Sequence, residues 1–406
     1  MSAPSLVVRD LAVLLTMDPE QGEGPLGEVR DAAVAFADGR VAWVGPSREA
    51  PDAEDVRSLP GAIGLPALID AHTHAVWSGS RADEFRRRLA GESYTSILEQ
   101  GGGILSTVRA TRATAEEDLA QVAADRLRML AAKGVGTVEI KSGYGLEAQA
   151  ELRMLRAARR AGELAHVRVV RTFLGAHAVP AELRGDRAAY VEQVVHEQLP
   201  VCAPEADGID VYVDRGAFTV EEGERILREG RAHGLDLRIH AEQVAYTGAA
   251  AMAARLGALS ADHLERIDDA GIAAMAEGGT VATLLPGAMI YLRDTAPPVA
   301  RLREAGVPFA VATDLNPGSS PVPDLWACAT LSTVTMGLTV EEALLGVTRV
   351  AARALGLRDA GVVAPGRRGD LAVLRPPPGD PPAAASLIQT LSGGRPALRV
   401  HAGAVV

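Results

Sequence analysis

The chain has 406 residues, 48% of them apolar and only 3% aromatic, with a formal net charge of −11. That length accommodates one large domain plus a smaller one, around a core of Ala, Val, Leu and Ile. The acidic balance and the absence of any basic run exclude a non-specific nucleic-acid or anionic-surface binder, but leave room for an acidic substrate captured by one local arginine.

In chain order, the first 60 residues read as strands. "SLVVRDLAVLLT" (5–16) is apolar and β-branched, and "AAVAFADGRVAWVG" (32–45) is two alternating runs around Asp38-Gly39, a hairpin signal. From residue 62 the rhythm changes to short apolar runs separated by helical stretches. The runs lie at 64–74, 135–142, 167–177, 208–214, 235–242, 260–265, 280–288 and 307–317. Among the helical stretches, 219–234 has Thr219 at its cap, Glu222 at the capping-box position and Gly234 past its end. Eight strand–helix units predict a closed (β/α)8 TIM-type barrel over residues 62–356. An open doubly wound sheet is the competing α/β reading, but "GGGILSTVR" (101–109) follows a helical stretch, the wrong context for a phosphate fingerprint. After residue 356 the chain turns β-like again, at 361–376 and 396–406, around a Pro-rich connector. Residues 1–61 and 357–406 are therefore expected to pair into one small β-sandwich domain with the barrel inserted between.

Polar residues gather where the barrel strands end. His72 and His74 close the first run, His177 the third, His240 the fifth, His263 the sixth and Asp314 the eighth. In such barrels the reactive groups line the mouth formed by the strands' C-terminal ends. Residues i and i+2 of a strand share a face, so His72 and His74 can reach one ion, which His240 and Asp314 can complete. Neutral imidazoles with one carboxylate suit zinc or iron. A bound ion lowers the pKa of its water from about 15.7 to about 7. A His-x-His alone is a weak signal; its strength here comes from the other strand ends. His166, His196, His233 and His401 read as solvated or structural. Cys202 and Cys328 stand far apart without metal spacing and read as packing residues in a reducing compartment. No charged leader or membrane-length apolar run is found, so a soluble, cytoplasmic protein is expected.

"ALIDAHTHAV" (67–76) and "RRGDLAVL" (367–374) resemble the metal strand and the returning β-domain strand of the amidohydrolase superfamily. "RADEFRRRLAGESYTSILEQGGGILSTVRATR" (81–112), "VEIKSGYGL", "RTFLGAHAVP", "GAFTVEEGERIL", "GALSADHLE" and "ATDLNPGSSP" resemble, within it, the imidazolonepropionase family, along nearly the whole chain. The resemblance implies metal-dependent hydrolysis of a cyclic amide, 4-imidazolone-5-propanoate, to N-formimino-L-glutamate in histidine degradation. It implies one divalent ion per chain, zinc or iron, on His72, His74, His240 and Asp314. Arg81 matches the residue that grips the propionate. Tyr144, His177, Asn316, Gly318 and Ser319 match substrate-binding residues, and Tyr94 is expected to close over the ring. His263 is expected to take a proton from water or to stabilise the developing oxyanion, and Asp314 to pass a proton to the leaving nitrogen.

Gln243 stands three residues after His240, where superfamily members that release ammonia from nucleobases carry a Glu. A glutamine holds and orients but shuttles no proton at neutral pH, which argues against a deaminase; the resembled family accepts a carboxylate or an amide there. Glu242 is expected to point elsewhere. Two departures from the family stand out: Val213-Asp214 replaces a Cys-Glu pair, and Ser319 replaces a threonine. Lys141, two residues after Glu139, is either a carbamylated bridge between two metals or a lysine paired with a neighbouring carboxylate. The partner expected is a small molecule with a carboxylate tail, without nucleic acid or membrane, and a homodimer is the commonest soluble assembly. The alternatives are another amidohydrolase acting on a different ring, and a silent barrel that binds no metal.

Overall fold

The computed structural model describes residues 3–92, Ser96 and residues 102–406. The N-terminal segment forms β1 (Leu6–Leu15), β2 (Glu28–Ala37), β3 (Arg40–Pro46), β4 (Asp55–Ser58) and β5 (Ile63–Pro66). Asp38 and Gly39 take φ of 51° and 74° between β2 and β3, the left-handed pair that a tight hairpin requires. The barrel strands follow as β6 (Leu68–Asp70), β7 (Val135–Lys141), β8 (Arg168–Ala176), β9 (Gly208–Val213), β10 (Asp236–Ala241), β11 (Ser260–His263), β12 (Val281–Leu284) and β13 (Phe309–Val311). The chain ends in β14 (Leu371–Arg375), β15 (Arg395–His401) and β16 (Ala404–Val405).

The two ends of the chain meet in one hydrogen-bonded sheet of order β16-β15-β14-β5-β1-β2-β3, with β4 beside β1. The join is β5, antiparallel to β14 on one side and parallel to β1 on the other. Its apolar face buries Val8, Leu11, Phe36, Leu371 and Val400. Only Ala67 separates β5 from the first barrel strand.

All eight expected runs form strands, parallel and in sequential order from β6 to β13. The ring closes just beyond the ends of β6 and β13. There Thr73 bridges Leu315, Asp314 N–H donates to the His72 carbonyl and His74 N–H to the Leu315 carbonyl, both at 3.0 Å. Closure thus runs through the segments that carry three of the four candidate ligands. The helix Val220–Ala232 starts at Thr219 with both capping-box bonds in place, as its sequence predicts.

Candidate metal centre and substrate clamp

The barrel interior is not the aliphatic plug usual for this fold. Glu139, Lys141, Asp210, Arg238 and Asp262 are all fully buried, and His72, His74, His240 and Asp314 sit at the strand ends with 3% exposure or less. One nitrogen each of His72, His74 and His240 lies within 4.8 Å of the others. The Nε2 atoms of His74 and His240 are 3.4 Å apart. Asp314 Oδ1 stands 3.5 Å from His72 Nε2 and 3.6 Å from His74 Nε2. Burial, and then the charge of neighbouring groups, lowers the pKa of His72 and His74, keeping both rings in the neutral form a ligand needs.

The far nitrogens of two of these rings are held. His72 Nδ1 donates to Asp262 Oδ2 at 2.6 Å, and His240 Nδ1 to Asp210 at 3.0 and 3.1 Å. A carbonyl or carboxylate behind a histidine fixes its tautomer and turns the other nitrogen outward. Lys141 Nζ lies 2.8 Å from Asp210, 2.9 Å from Glu139 and 3.7 Å from Asp262. Burial alone would lower its pKa; the three carboxylates outweigh burial and raise it, so the residue is a fixed ammonium in a carboxylate cage.

These residues fit a divalent ion. His72 Nε2 is buried without a hydrogen-bond partner among the described residues, in a position where three nitrogens and a carboxylate converge. Formal charge agrees: Lys141 and Arg238 bring two positive charges, and Glu139, Asp210, Asp262 and Asp314 bring four negative ones. An excess of carboxylates over cations, in a medium that penalises unpaired charge, draws a cation. A further carboxyl, Asp70, takes hydrogen bonds from Thr313 N (3.0 Å) and Oγ1 (2.6 Å), while burial pushes it up to about 7.

The chain turns sharply at the mouth. His263, Asp314 and Glu242 have φ of 79°, 51° and 57°, a left-handed backbone unusual for residues with side chains and common where a site imposes it. The His263 ring centroid lies 5.4 Å from that of His240. Burial lowers its pKa, but Glu265, 3.8 Å away, and Asp314 outweigh burial and raise it. Gln243 accepts from Tyr212 Oη at 3.0 Å. Asp214, the departure whose role the sequence leaves open, accepts from the N–H groups of Val244 and Ala245 at 2.8 and 3.0 Å. It pins the turn that carries Gln243. Glu242 points elsewhere, as expected: Oε1 accepts from Gly248 N at 2.9 Å.

The tail-binding candidates assemble from two segments distant in sequence. Arg81 precedes the helix Ala82–Leu89, and its Nε donates to Glu84 Oε2 at 2.7 Å. Glu84 Oε1 accepts from Gly103 N and Ser106 Oγ, both at 3.1 Å. The guanidinium lies against Gly318, where a Cβ would stand 2.7 Å from Nη1. Asn316 is engaged within its own loop: Nδ2 donates to the Asp314 carbonyl at 2.7 Å, and Oδ1 accepts from Gly318 N and Ser319 N at 2.8 Å. Tyr144 and His177 border the metal side, with ring centroids 5.9 and 4.9 Å from His74. His177 donates Nδ1–H to the Gly143 carbonyl at 3.0 Å, and burial, then the His240 charge, holds its pKa down to about 3. Its Nε2 is therefore a lone-pair acceptor. The loop bearing Tyr144 hangs on buried Glu151, which accepts from Gly143, Gly145 and Leu146 N–H groups at 2.7–2.8 Å. Tyr94 lies outside the described residues.

Sequence reasoning alone does not reach Asp210, Asp262, Tyr212, Glu84 or Glu151. Two of them carry a usable signal. Asp210 stands at i−2 from Tyr212 in β9, and Asp262 directly precedes His263, so each is a charged residue within an apolar barrel run, and such a charge needs a buried partner.

Residues 86–398 match the model of the amidohydrolase family. The imidazolonepropionase of Shewanella loihica is 48% identical over 371 residues, 88% of this chain and 89% of the relative, and that of Shewanella woodyi is 48% identical over 369 residues, 87% and 89%. Among solved structures, an adenosine deaminase from Xanthomonas campestris with bound zinc superposes at TM-score 0.73 with 18% identity, covering 100% of this chain and 93% of that one. An atrazine chlorohydrolase from Arthrobacter aurescens complexed with zinc superposes at 0.70 with 18% identity, covering 98% and 94%; both likenesses concern the fold. Sequence match, barrel and buried histidine cluster converge, and the chain belongs to the imidazolonepropionase family of the amidohydrolases.

Proposed function

We propose that this chain hydrolyses the ring amide of 4-imidazolone-5-propanoate to N-formimino-L-glutamate in histidine degradation, with one divalent ion, zinc or iron, on His72, His74, His240 and Asp314. The observation that carries the reading is one loop with two duties. Asp314 faces the histidine cluster, and four residues on, Gly318 lies under the Arg81 guanidinium. A ring bearing a carboxylate tail suits such a site, with the anion held at one end and the amide presented at the other.

When bound, the ion supplies Lewis-acid polarisation of the ring carbonyl and a hydroxide at neutral pH. Arg81 holds the propionate through its planar fork, which orients the ring. Asn316 keeps Gly318 and Ser319 in the turn that fits against Arg81. Tyr144 and His177 flank the ring, His177 offering an Nε2 acceptor. His263, whose pKa is raised, takes the proton of the attacking water or donates to the developing oxyanion. Asp314 delivers to the departing ring nitrogen the proton released by the attacking water, received directly or through His263. Gln243, fixed by Tyr212, orients the ring and carries no proton.

The competing reading, an amidohydrolase that releases ammonia from a nucleobase, needs a proton-carrying group where Gln243 stands; Glu242 is occupied at Gly248. Freshly prepared imidazolonepropionate should lose its ring absorbance in the presence of the protein, and a chelator should stop the loss. No metal-dependent loss, or ammonia release from a nucleobase instead, overturns the proposal.

A further inference from the structure

Lys141 belongs to the buried charge cluster, and the proposed chemistry gives it no role. Among the described residues its ammonium pairs with carboxylates, and the residue is completely buried. A buried ammonium is costly unless it is paired. Glu139 alone, at 2.9 Å, would pair it. Its contacts to Asp210 at 2.8 Å and Asp262 at 3.7 Å go further, because those carboxylates have a second task. Asp210 holds His240 Nδ1, and Asp262 holds His72 Nδ1. The oxygens coincide: Asp210 Oδ2 and Asp262 Oδ2 each face both the ammonium and the ring nitrogen. His72 is on β6's extension and His240 on β10, so no shared strand or ladder relates them.

We infer that Lys141 is a positioning residue for the metal centre: one buried ammonium, through Asp210 and Asp262, sets the orientation of two histidine ligands at once. Two carboxylates drawn toward a common cation are fixed relative to each other, and so are the rings behind them. Without the ammonium, like charges in a medium of low polarity repel, and each carboxylate is free to turn from its histidine. His74 lies outside this linkage: its Nδ1 has no hydrogen-bond partner among the described residues. The same geometry favours one of the two sequence readings of Lys141. A nitrogen beside three carboxylates fits the paired lysine, since a carbamate there would add a fourth negative charge.

The inference rests on the reading of His72, His74, His240 and Asp314 as a metal site. The test measures zinc affinity of the full-length protein by competition with a chromophoric chelator, alongside the thermal midpoint with and without zinc. Wild-type protein should bind one equivalent; failure to do so overturns the metal reading itself. Lys141→Gln keeps two N–H donors but no charge and should weaken zinc binding about 10-fold; Lys141→Met, with no donor, should weaken it nearer 100-fold, the range found when groups behind metal ligands are removed. The gap between zinc-loaded and zinc-free midpoints should shrink in step. A purely structural lysine would lower both midpoints equally and leave the affinity unchanged, and that result overturns the inference. Should both variants fail to fold, Asp262→Asn breaks one of the two links while leaving Lys141 paired with Glu139 and Asp210. There the imidazole NMR signals of both His72 and His240 in the zinc-free protein should shift, since the ammonium links the two carboxylates; a change confined to His72 overturns the inference.

Discussion

Arg81 gives its Nε to Glu84 at 2.7 Å, and its two terminal nitrogens have no protein partner among the described residues. Glu84 in turn is tied to Gly103 and Ser106, so the guanidinium is braced through its Nε. Glu84→Ala should raise KM about 5- to 20-fold, as expected for one charge-assisted hydrogen bond, with kcat within about twofold. Glu84→Gln, which retains an acceptor oxygen, should recover most of the loss. A fall in kcat at unchanged KM would place Glu84 elsewhere in the mechanism.

Arg81 itself should matter more. On the proposed reading, Arg81→Ala removes the fork that holds the propionate and is expected to raise KM by roughly 100-fold; Arg81→Lys should restore little, since an ammonium lacks the planar fork. Gly318→Ala tests the same contact from the other side. Its new Cβ would come within 2.7 Å of Nη1, displacing the guanidinium and raising KM without touching the metal. Steady-state kinetics on the propionate-bearing ring measures all three. Unaltered KM in Arg81→Ala would remove the basis for the substrate assignment.

Removing the metal should abolish turnover and lower the thermal midpoint. A ligand that binds only the folded chain, present at 100 times its Kd, adds about 2.7 kcal/mol of stability. His74→Ala should lose both the activity and the midpoint shift on adding zinc. Calorimetry of chelated and zinc-loaded protein measures the effect; identical midpoints would mean that the cluster holds no ion.

Glu242 offers a pH test that separates it from Gln243. Burial pushes its carboxyl up from the ordinary 4.5 to about 7. A raised acid stabilises the fold fully below its unfolded pKa, and that contribution is lost as pH rises through the folded value. Between pH 4.5 and 7 the folded chain holds a proton that the unfolded chain has released. Glu242→Gln, neutral throughout, should therefore gain thermal midpoint relative to wild type as pH rises from 5 to 8. Its kcat/KM should stay within a few-fold, because its side chain faces Gly248. A hundredfold loss of activity would make Glu242, not Gln243, the residue beside the ring.

Glu151 supports the Tyr144 loop through three N–H donors. Glu151→Gln turns an amide toward donors that need an acceptor, and should cost about 2–4 kcal/mol in urea unfolding. Activity should fall through Tyr144 while zinc affinity is kept. Full stability in this variant would show that the loop does not depend on Glu151.

What the sequence by itself determined about this protein is local. Apolar runs of strand length alternating with capped helices specify eight units, and eight such units close in one way. The two-residue period of a strand puts His72 and His74 on one side, and their place at the end of a run puts them at the mouth with His240, His263 and Asp314. The tertiary structure alone decided which buried charges meet. Lys141, Asp210 and Asp262 belong to β7, β9 and β11, strands that are not neighbours in the ring and face one another only across the closed interior. Arg81, Glu84 and Gly318 likewise come together only when the segments after β6 and β13 are brought side by side by closure. Periodicity reports the side to which a residue points; the partner it finds there depends on distances across the barrel, which no stretch of sequence contains.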